Sequence, residues 1–171
     1  VSVVAVYLSF YVAAPLGHWM AVVVFALGAI TDFFDGYLAR KFDALSDFGR
    51  MFDPIADKLM VLLCLVMLIS ADVITLAHLP AALMIIAREI LVSGLREFLN
   101  GREVTLPVST LAKYKTSLQM ISLGCLLAGP TGDALLPGLL TLGLALLWLS
   151  ALLTVITGYD YLRAGLRHVQ S

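Results

Sequence analysis

Charged positions are so sparse along this chain that they act as punctuation between apolar runs. Residues 1–31, 59–71, 73–87, 116–132 and 134–159 contain no Asp, Glu, Lys or Arg. Runs of this kind, at about 20 residues per crossing, predict membrane-spanning helices joined by short connections. Ala14-Pro15-Leu16-Gly17-His18 ends a first span, with Trp19 at an interfacial belt position. A second helix is expected from His18 to Arg40 and a third from Phe48 to Ser70. Asp72 and the stretch to Pro80 form the next connection. Pro80 suits a helix N-terminus and Asn100-Gly101 a left-handed C-terminal cap, which bounds the fourth. Pro107 opens a fifth that ends near Gly129-Pro130-Thr131-Gly132. The sixth starts around Leu136-Pro137 and leaves the membrane near Tyr159.

The charges test this six-span division. With alternating spans, Arg40, Lys41, Arg50, Lys58, Arg88, Arg96, Arg102, Lys113, Lys115, Arg163 and Arg167 all fall on one side, and the other side holds only Asp72 and Asp133. Positive charge marks the cytoplasmic face, so both termini are expected there. A five- or seven-span count would scatter these residues.

Composition adds that this is one membrane domain over 1–171. Hydrophobic residues make up 61% of the 171 positions and charged ones 13%. A soluble domain carries about 45–50% apolar and about 25% charged residues. The surplus cannot be hidden in so small a globule. A nucleic-acid binder, a secreted disulfide scaffold and a water-soluble enzyme are excluded. The net charge of −1 predicts no partner. The chain opens on Val1 inside an apolar run without a basic start, so the natural N-terminus is expected to be longer.

Four carboxylates lie where a membrane makes them costly. Asp32 and Asp35, spaced i, i+3, share one face of the second helix; Asp53 and Asp57, spaced i, i+4, share one face of the third. A charge near the bilayer centre costs about 2.5–3.5 kcal/mol, so such groups pair or bind something. Pairing with Arg40, Lys41, Arg50 and Lys58 accounts for Asp43 and Asp47 in the connection, and less well for these four. Hard oxygen ligands without His or Cys suit Mg²⁺ or Mn²⁺, and two such ions can clamp a phosphoryl group. Gly36 and Ala39 allow close approach to the backbone, and Arg40 can fork onto phosphate. Antiparallel neighbours would aim this polar metal site at the cytoplasm.

The string Asp32-x2-Asp35-Gly36-x2-Ala39-Arg40-x8-Gly49-x3-Asp53-x3-Asp57 resembles the signature of the CDP-alcohol phosphotransferase (phosphatidyltransferase) family, matching at all eight positions. The resemblance implies an enzyme in which an alcohol attacks the β-phosphorus of a CDP-linked lipid and CMP leaves. It implies two divalent ions on Asp32, Asp35, Asp53 and Asp57, with Asp57 also the base. Thr31, Asp35, Gly36, Ala39, Arg40, Gly49 and Asp53 would contact the cytidine diphosphate. A homodimer and a bacterial inner-membrane location, with the active site cytoplasmic, are implied in the same way. Pro54, directly after Asp53, either lies in the first turn of its helix or kinks it.

A second polar cluster bears on the acceptor. The fourth helix carries Arg88-Glu89, Ser93 and Arg96-Glu97, with Arg88 about 12 Å from Pro80. The fifth carries Lys113-x-Lys115-Thr116-x2-Gln119, in which Lys115, Thr116 and Gln119 share a face. Snorkelling to headgroups suits Lys113, Arg102, Arg163 and Arg167. Arg88, Arg96 and Lys115 suit a buried anion site, with Lys113 at its edge as a further candidate. Cations beside a metal pocket suit an acceptor that carries phosphate, whereas choline would want aromatic faces. Residues 88–97 and 113–119 resemble the branch of the family that joins CDP-diacylglycerol to sn-glycerol 3-phosphate. Inositol phosphate and phosphatidylglycerol are alternative acceptors. A divalent-ion transporter is the alternative of another class, but no repeat of the carboxylate string occurs in residues 85–171.

The remaining polar residues say less. His18, His78 and His168 read as solvated interface residues, Trp148 as a packing or subunit contact, and Cys64 and Cys125 as core.

Overall fold

The computed structural model of the chain describes residues 6, 16–42, 47–100 and 110–169, with side chains at 6, 16–31, 58–99, 111, 114–159 and 161–163. Five helices account for them: α1 (Leu16–Phe42), α2 (Asp47–Ser70), α3 (Leu79–Asn100), α4 (Thr110–Leu135) and α5 (Leu139–Val169). No strand occurs among the described residues. These helices are the second to sixth of the expected set. The first expected span lies outside the described residues except for Val6, which is helical and buried.

Local chemistry explains the ends. Pro80 is the second residue of α3, where its missing N–H costs nothing. At the end of α2, Asp72 takes a left-handed φ of 56°. Its N–H donates to the Ile69 carbonyl at 3.1 Å and that of Val73 to Leu68 at 3.0 Å, a Schellman cap on an aspartate. Gly129 breaks α4 at φ 53°, ψ −148°, the position where the fifth span was expected to end. One further helical stretch then runs from Pro130 to Leu135. The Asp133 carboxylate caps the start of α5, accepting from the N–H groups of Gly138 (3.1 Å) and Leu140 (3.0 Å). α2 begins at Asp47 and continues through Pro54, its eighth residue, so the proline lies past the first turn. The missing N–H there leaves the Arg50 carbonyl without its helical donor.

α4 packs most closely on α5, which also lies against α3, while α1 and α2 pack on α4. Small residues permit the closest approach. A Cβ on Gly143 would lie 3.0 Å from that of Cys125, and the Gly143 carbonyl accepts from Ser122 Oγ at 2.8 Å. An apolar core forms where the start of α3, the ends of α2 and α4 and the early turns of α1 and α5 meet: Phe25, Leu65, Leu68, Ile85, Leu123, Leu126, Leu127 and Leu147 are buried there. Large apolar side chains also face outward, among them Val23, Leu63, Ile90, Ile121, Leu152 and Ile156. That is the pattern of a surface solvated by lipid rather than water.

The structure bears on three expectations. Among the described residues a single segment, Leu139–Arg163, is long and apolar enough to cross a membrane; Leu16–Thr31 and Lys58–Ser70 are shorter apolar stretches. In α3, Arg88-Glu89 and Arg96-Glu97 interrupt the apolar run. The last helix, expected to leave the membrane near Tyr159, continues to Val169, because charged residues stop a hydrophobic run without stopping a helix. His18 and His78 are not merely solvated. His18 Nδ1 lies 2.9 Å from Thr131 Oγ1, and the Trp148 indole N–H donates to His78 Nδ1 at 3.1 Å.

Candidate active site

The half of the bundle beyond the apolar core is polar inside. Arg88 and Glu89 sit midway along α3, and Lys115 enters from the early turns of α4, with only 5% of its side chain exposed. A charge in such surroundings is tolerated only when paired and hydrogen-bonded. One oxygen supplies the pairing. Glu89 Oε1 accepts from Lys115 Nζ and from Arg88 Nη1, the latter at 3.4 Å. The second nitrogen, Arg88 Nη2, donates to Thr157 Oγ1 on α5 at 3.2 Å. Thr157 in turn donates back to the Leu153 carbonyl at 2.8 Å. The next residue, Gly158, makes room for the arginine stem: a Cβ there would lie 3.0 Å from Arg88 Cγ.

One turn further along α5, Tyr161 is buried and meets both arginines. The guanidinium carbons of Arg88 and Arg96 lie 5.7 and 5.6 Å from its ring centroid, and Arg96 Nη2 donates to its hydroxyl at 3.3 Å. Among the described residues, four buried polar atoms have no hydrogen-bond partner: Arg88 Nε, Ser93 Oγ, Gln119 Oε1 and Thr154 Oγ1. The Arg88–Glu89–Lys115 set carries two positive charges against one negative. A net positive, incompletely bonded interior is suited to receiving a small polar anion.

The carboxylate string occupies the same end of the bundle. Its two segments are the late turns of α1 and the early turns of α2. Asp32, Asp35, Gly36, Ala39 and Arg40 lie on α1, and Gly49, Asp53 and Asp57 on α2; their side chains, like that of Lys113 at the start of α4, are outside the described residues. Thr31 is exposed on α1. As a donor set, four carboxylates in two helical pairs fit hard divalent cations. Among the described residues no other cluster of His, Cys, Asp or Glu could hold a metal.

The structure therefore joins Arg88 to Lys115 through Glu89, and Arg96 to Arg88 through an aromatic ring. Sequence reasoning did not foresee the part played by α5. Thr157-Gly158 followed by Tyr161 was the available signal, a hydroxyl, a gap and a ring at helical spacing.

Comparison with known proteins bears on the same residues. The chain matches the model of the CDP-alcohol phosphatidyltransferase family over residues 1–156. It is 47% identical over 163 residues to the CDP-diacylglycerol–glycerol-3-phosphate 3-phosphatidyltransferase of Rickettsia bellii (strain RML369-C), with 95% of this chain and 88% of the relative aligned. The protein of the same name from Pseudomonas fluorescens is 40% identical over 167 residues, covering 96% and 84% of the two chains. That from Cereibacter sphaeroides is 38% identical over 194 residues, covering 94% and 87%. Matches of this extent, all to phosphatidyltransferases, favour the enzyme over the transporter. The chain belongs to the CDP-alcohol phosphatidyltransferase family, and it is an enzyme.

Proposed function

We propose that this chain transfers the phosphatidyl group of CDP-diacylglycerol to sn-glycerol 3-phosphate, releasing CMP and forming phosphatidylglycerol phosphate. Relatives 47–48% identical over most of both chains carry the name of that activity. The observation that carries the choice of acceptor is the buried Arg88–Glu89–Lys115 set with its surplus positive charge. An acceptor bearing its own phosphate supplies the missing negative charge, and neutral alcohols do not.

Asp32, Asp35, Asp53 and Asp57 would hold two divalent ions, Mg²⁺ or Mn²⁺, which when bound neutralise the diphosphate and stabilise the charge that develops on it. The chain's other residues bind and orient. Thr31, Gly36, Ala39, Arg40 and Gly49 line the cytidine diphosphate, with Asp35 and Asp53 shared between metal and nucleotide. Arg88, Arg96, Lys113 and Lys115 receive the acceptor phosphate. Asp57 accepts the proton of the attacking hydroxyl as the new phosphorus–oxygen bond forms and the bond to CMP breaks. Positioning and charge neutralisation supply most of the catalysis in such a transfer.

The same reading places one domain of six spans in a bacterial inner membrane, with both termini and the active site cytoplasmic and two copies assembled as a homodimer. The outward apolar side chains of α1 to α5 and the positive charge gathered at one end support it. The deciding experiment offers the detergent-solubilised chain CDP-diacylglycerol with glycerol 3-phosphate, inositol phosphate, serine or phosphatidylglycerol, and measures CMP release. Release with glycerol 3-phosphate alone is expected. Faster release with any other acceptor overturns the assignment.

A further inference from the structure

The geometry points to Tyr161 as a positioning residue that fixes Arg88 and Arg96 as a pair, and so tunes the site to a phosphate-bearing alcohol; this rests on the acceptor reading above. The two arginines start eight positions apart on α3, about 12 Å along its axis. Their guanidinium carbons nevertheless lie at nearly equal distance from one ring, 5.7 and 5.6 Å from its centroid. Two like charges drawn together repel, and the electron-rich face of an aromatic ring offsets part of that cost where water is scarce.

Tyr161 is only 6% exposed, whereas Tyr159, two residues earlier on the same helix, is 64% exposed. Tyr159 is therefore the side chain that fits an interfacial belt, and Tyr161 faces the charged interior. The ring engages the arginines without exhausting their donors. Arg96 spends one N–H on the Tyr161 hydroxyl, and a guanidinium has five. Arg88 keeps its Nε without a partner. Thr157 and Gly158 complete the seat, one accepting from Arg88 Nη2 and the other leaving space for its stem. A pair held this way is preorganised for a dianion, which needs several donors converging from fixed positions.

The test uses the full chain in detergent, reading KM and kcat for glycerol 3-phosphate and KM for CDP-diacylglycerol. Tyr161→Leu removes the ring and is expected to raise the acceptor KM about tenfold, with kcat and the donor KM close to wild type. Tyr161→Phe keeps the ring and should recover most of the loss, and Tyr159→Leu should cause none. Combined with Arg96→Gln, Tyr161→Leu should cost less than the product of the separate effects, since it acts through that arginine. An acceptor KM raised by Arg96→Gln but untouched by Tyr161→Leu would overturn the positioning role alone. An acceptor KM unchanged by Arg96→Gln would overturn the acceptor site itself. Should Tyr161→Leu fail to fold, Gly158→Ala decides: its methyl meets the Arg88 stem and should raise the same KM, and a wild-type value there sinks the inference.

Discussion

Glu89 and Lys115, 26 residues apart, form a buried ion pair that ties α3 to α4, and Arg88 shares the same carboxylate oxygen. One anion thus serves two cations in an interior that gives water little access. Removing it leaves two buried positive charges without a counterion. We expect Glu89→Gln to destabilise the protein by about 3–5 kcal/mol, the range for breaking one side of a buried pair. Thermal unfolding in detergent measures this. A change of less than about 1 kcal/mol would mean that water reaches the cluster.

The same surplus charge predicts a ligand effect. Glycerol 3-phosphate should stabilise the protein against heat, by about 2.7 kcal/mol at one hundred times its Kd. Inorganic phosphate should do so more weakly, and glycerol not at all. Arg88→Gln should abolish the response to phosphate. An equal shift with glycerol would show that the cations do not form the binding site.

At the other end of the bundle, Asp133 is the capping group of α5, with Oδ1 accepting two backbone N–H bonds. Asp133→Ala should lose about 1 kcal/mol of stability, while Asp133→Asn, which keeps Oδ1, should lose far less. Activity should be unchanged in both, because the cap lies across the apolar core from the charged cluster. Equal losses in the two variants would assign the stabilisation to charge rather than to the hydrogen bonds.

What was legible in the sequence divides along physical lines. Helix starts and breaks were readable wherever local chemistry dictates them, as at Pro80 and Gly129. So were the cations Arg88, Arg96 and Lys115, because a charge in an apolar run needs a reason. Their partners were not. Glu89 is visible beside Arg88, but its bond to Lys115 depends on how α3 meets α4. Tyr161 lies past the end of the hydrophobic run, where a water-exposed tail is the natural expectation, and only the continuation of α5 to Val169 carries its ring inward. His18 with Thr131 and His78 with Trp148 are likewise long-range pairs that no local pattern announces.

Metal removal gives a direct test of the carboxylate string. Four carboxylates gathered at one site repel each other unless cations lie between them. Activity should vanish in excess chelator and return with Mg²⁺ or Mn²⁺. Divalent binding should be lost in Asp53→Asn. Full turnover with chelator present would refute the two-ion assignment.

Asp57 separates two roles that a carboxylate can play at such a site. An alcohol is a poor nucleophile until its proton leaves, and a nearby carboxylate can take it. Asp57 follows Asp53 by one turn of α2, further along the helix from the connection to α1. Asp57→Asn keeps the size and one coordinating oxygen but cannot accept a proton. General-base assistance is worth about 10²–10⁴-fold, so kcat should fall within that range. Metal affinity and the KM for CDP-diacylglycerol should change much less. Calorimetric metal binding measured beside kcat distinguishes the outcomes. If binding collapses together with kcat, Asp57 is a ligand first and the base lies elsewhere; if the Asn variant turns over at the wild-type rate, Asp57 takes no proton at all.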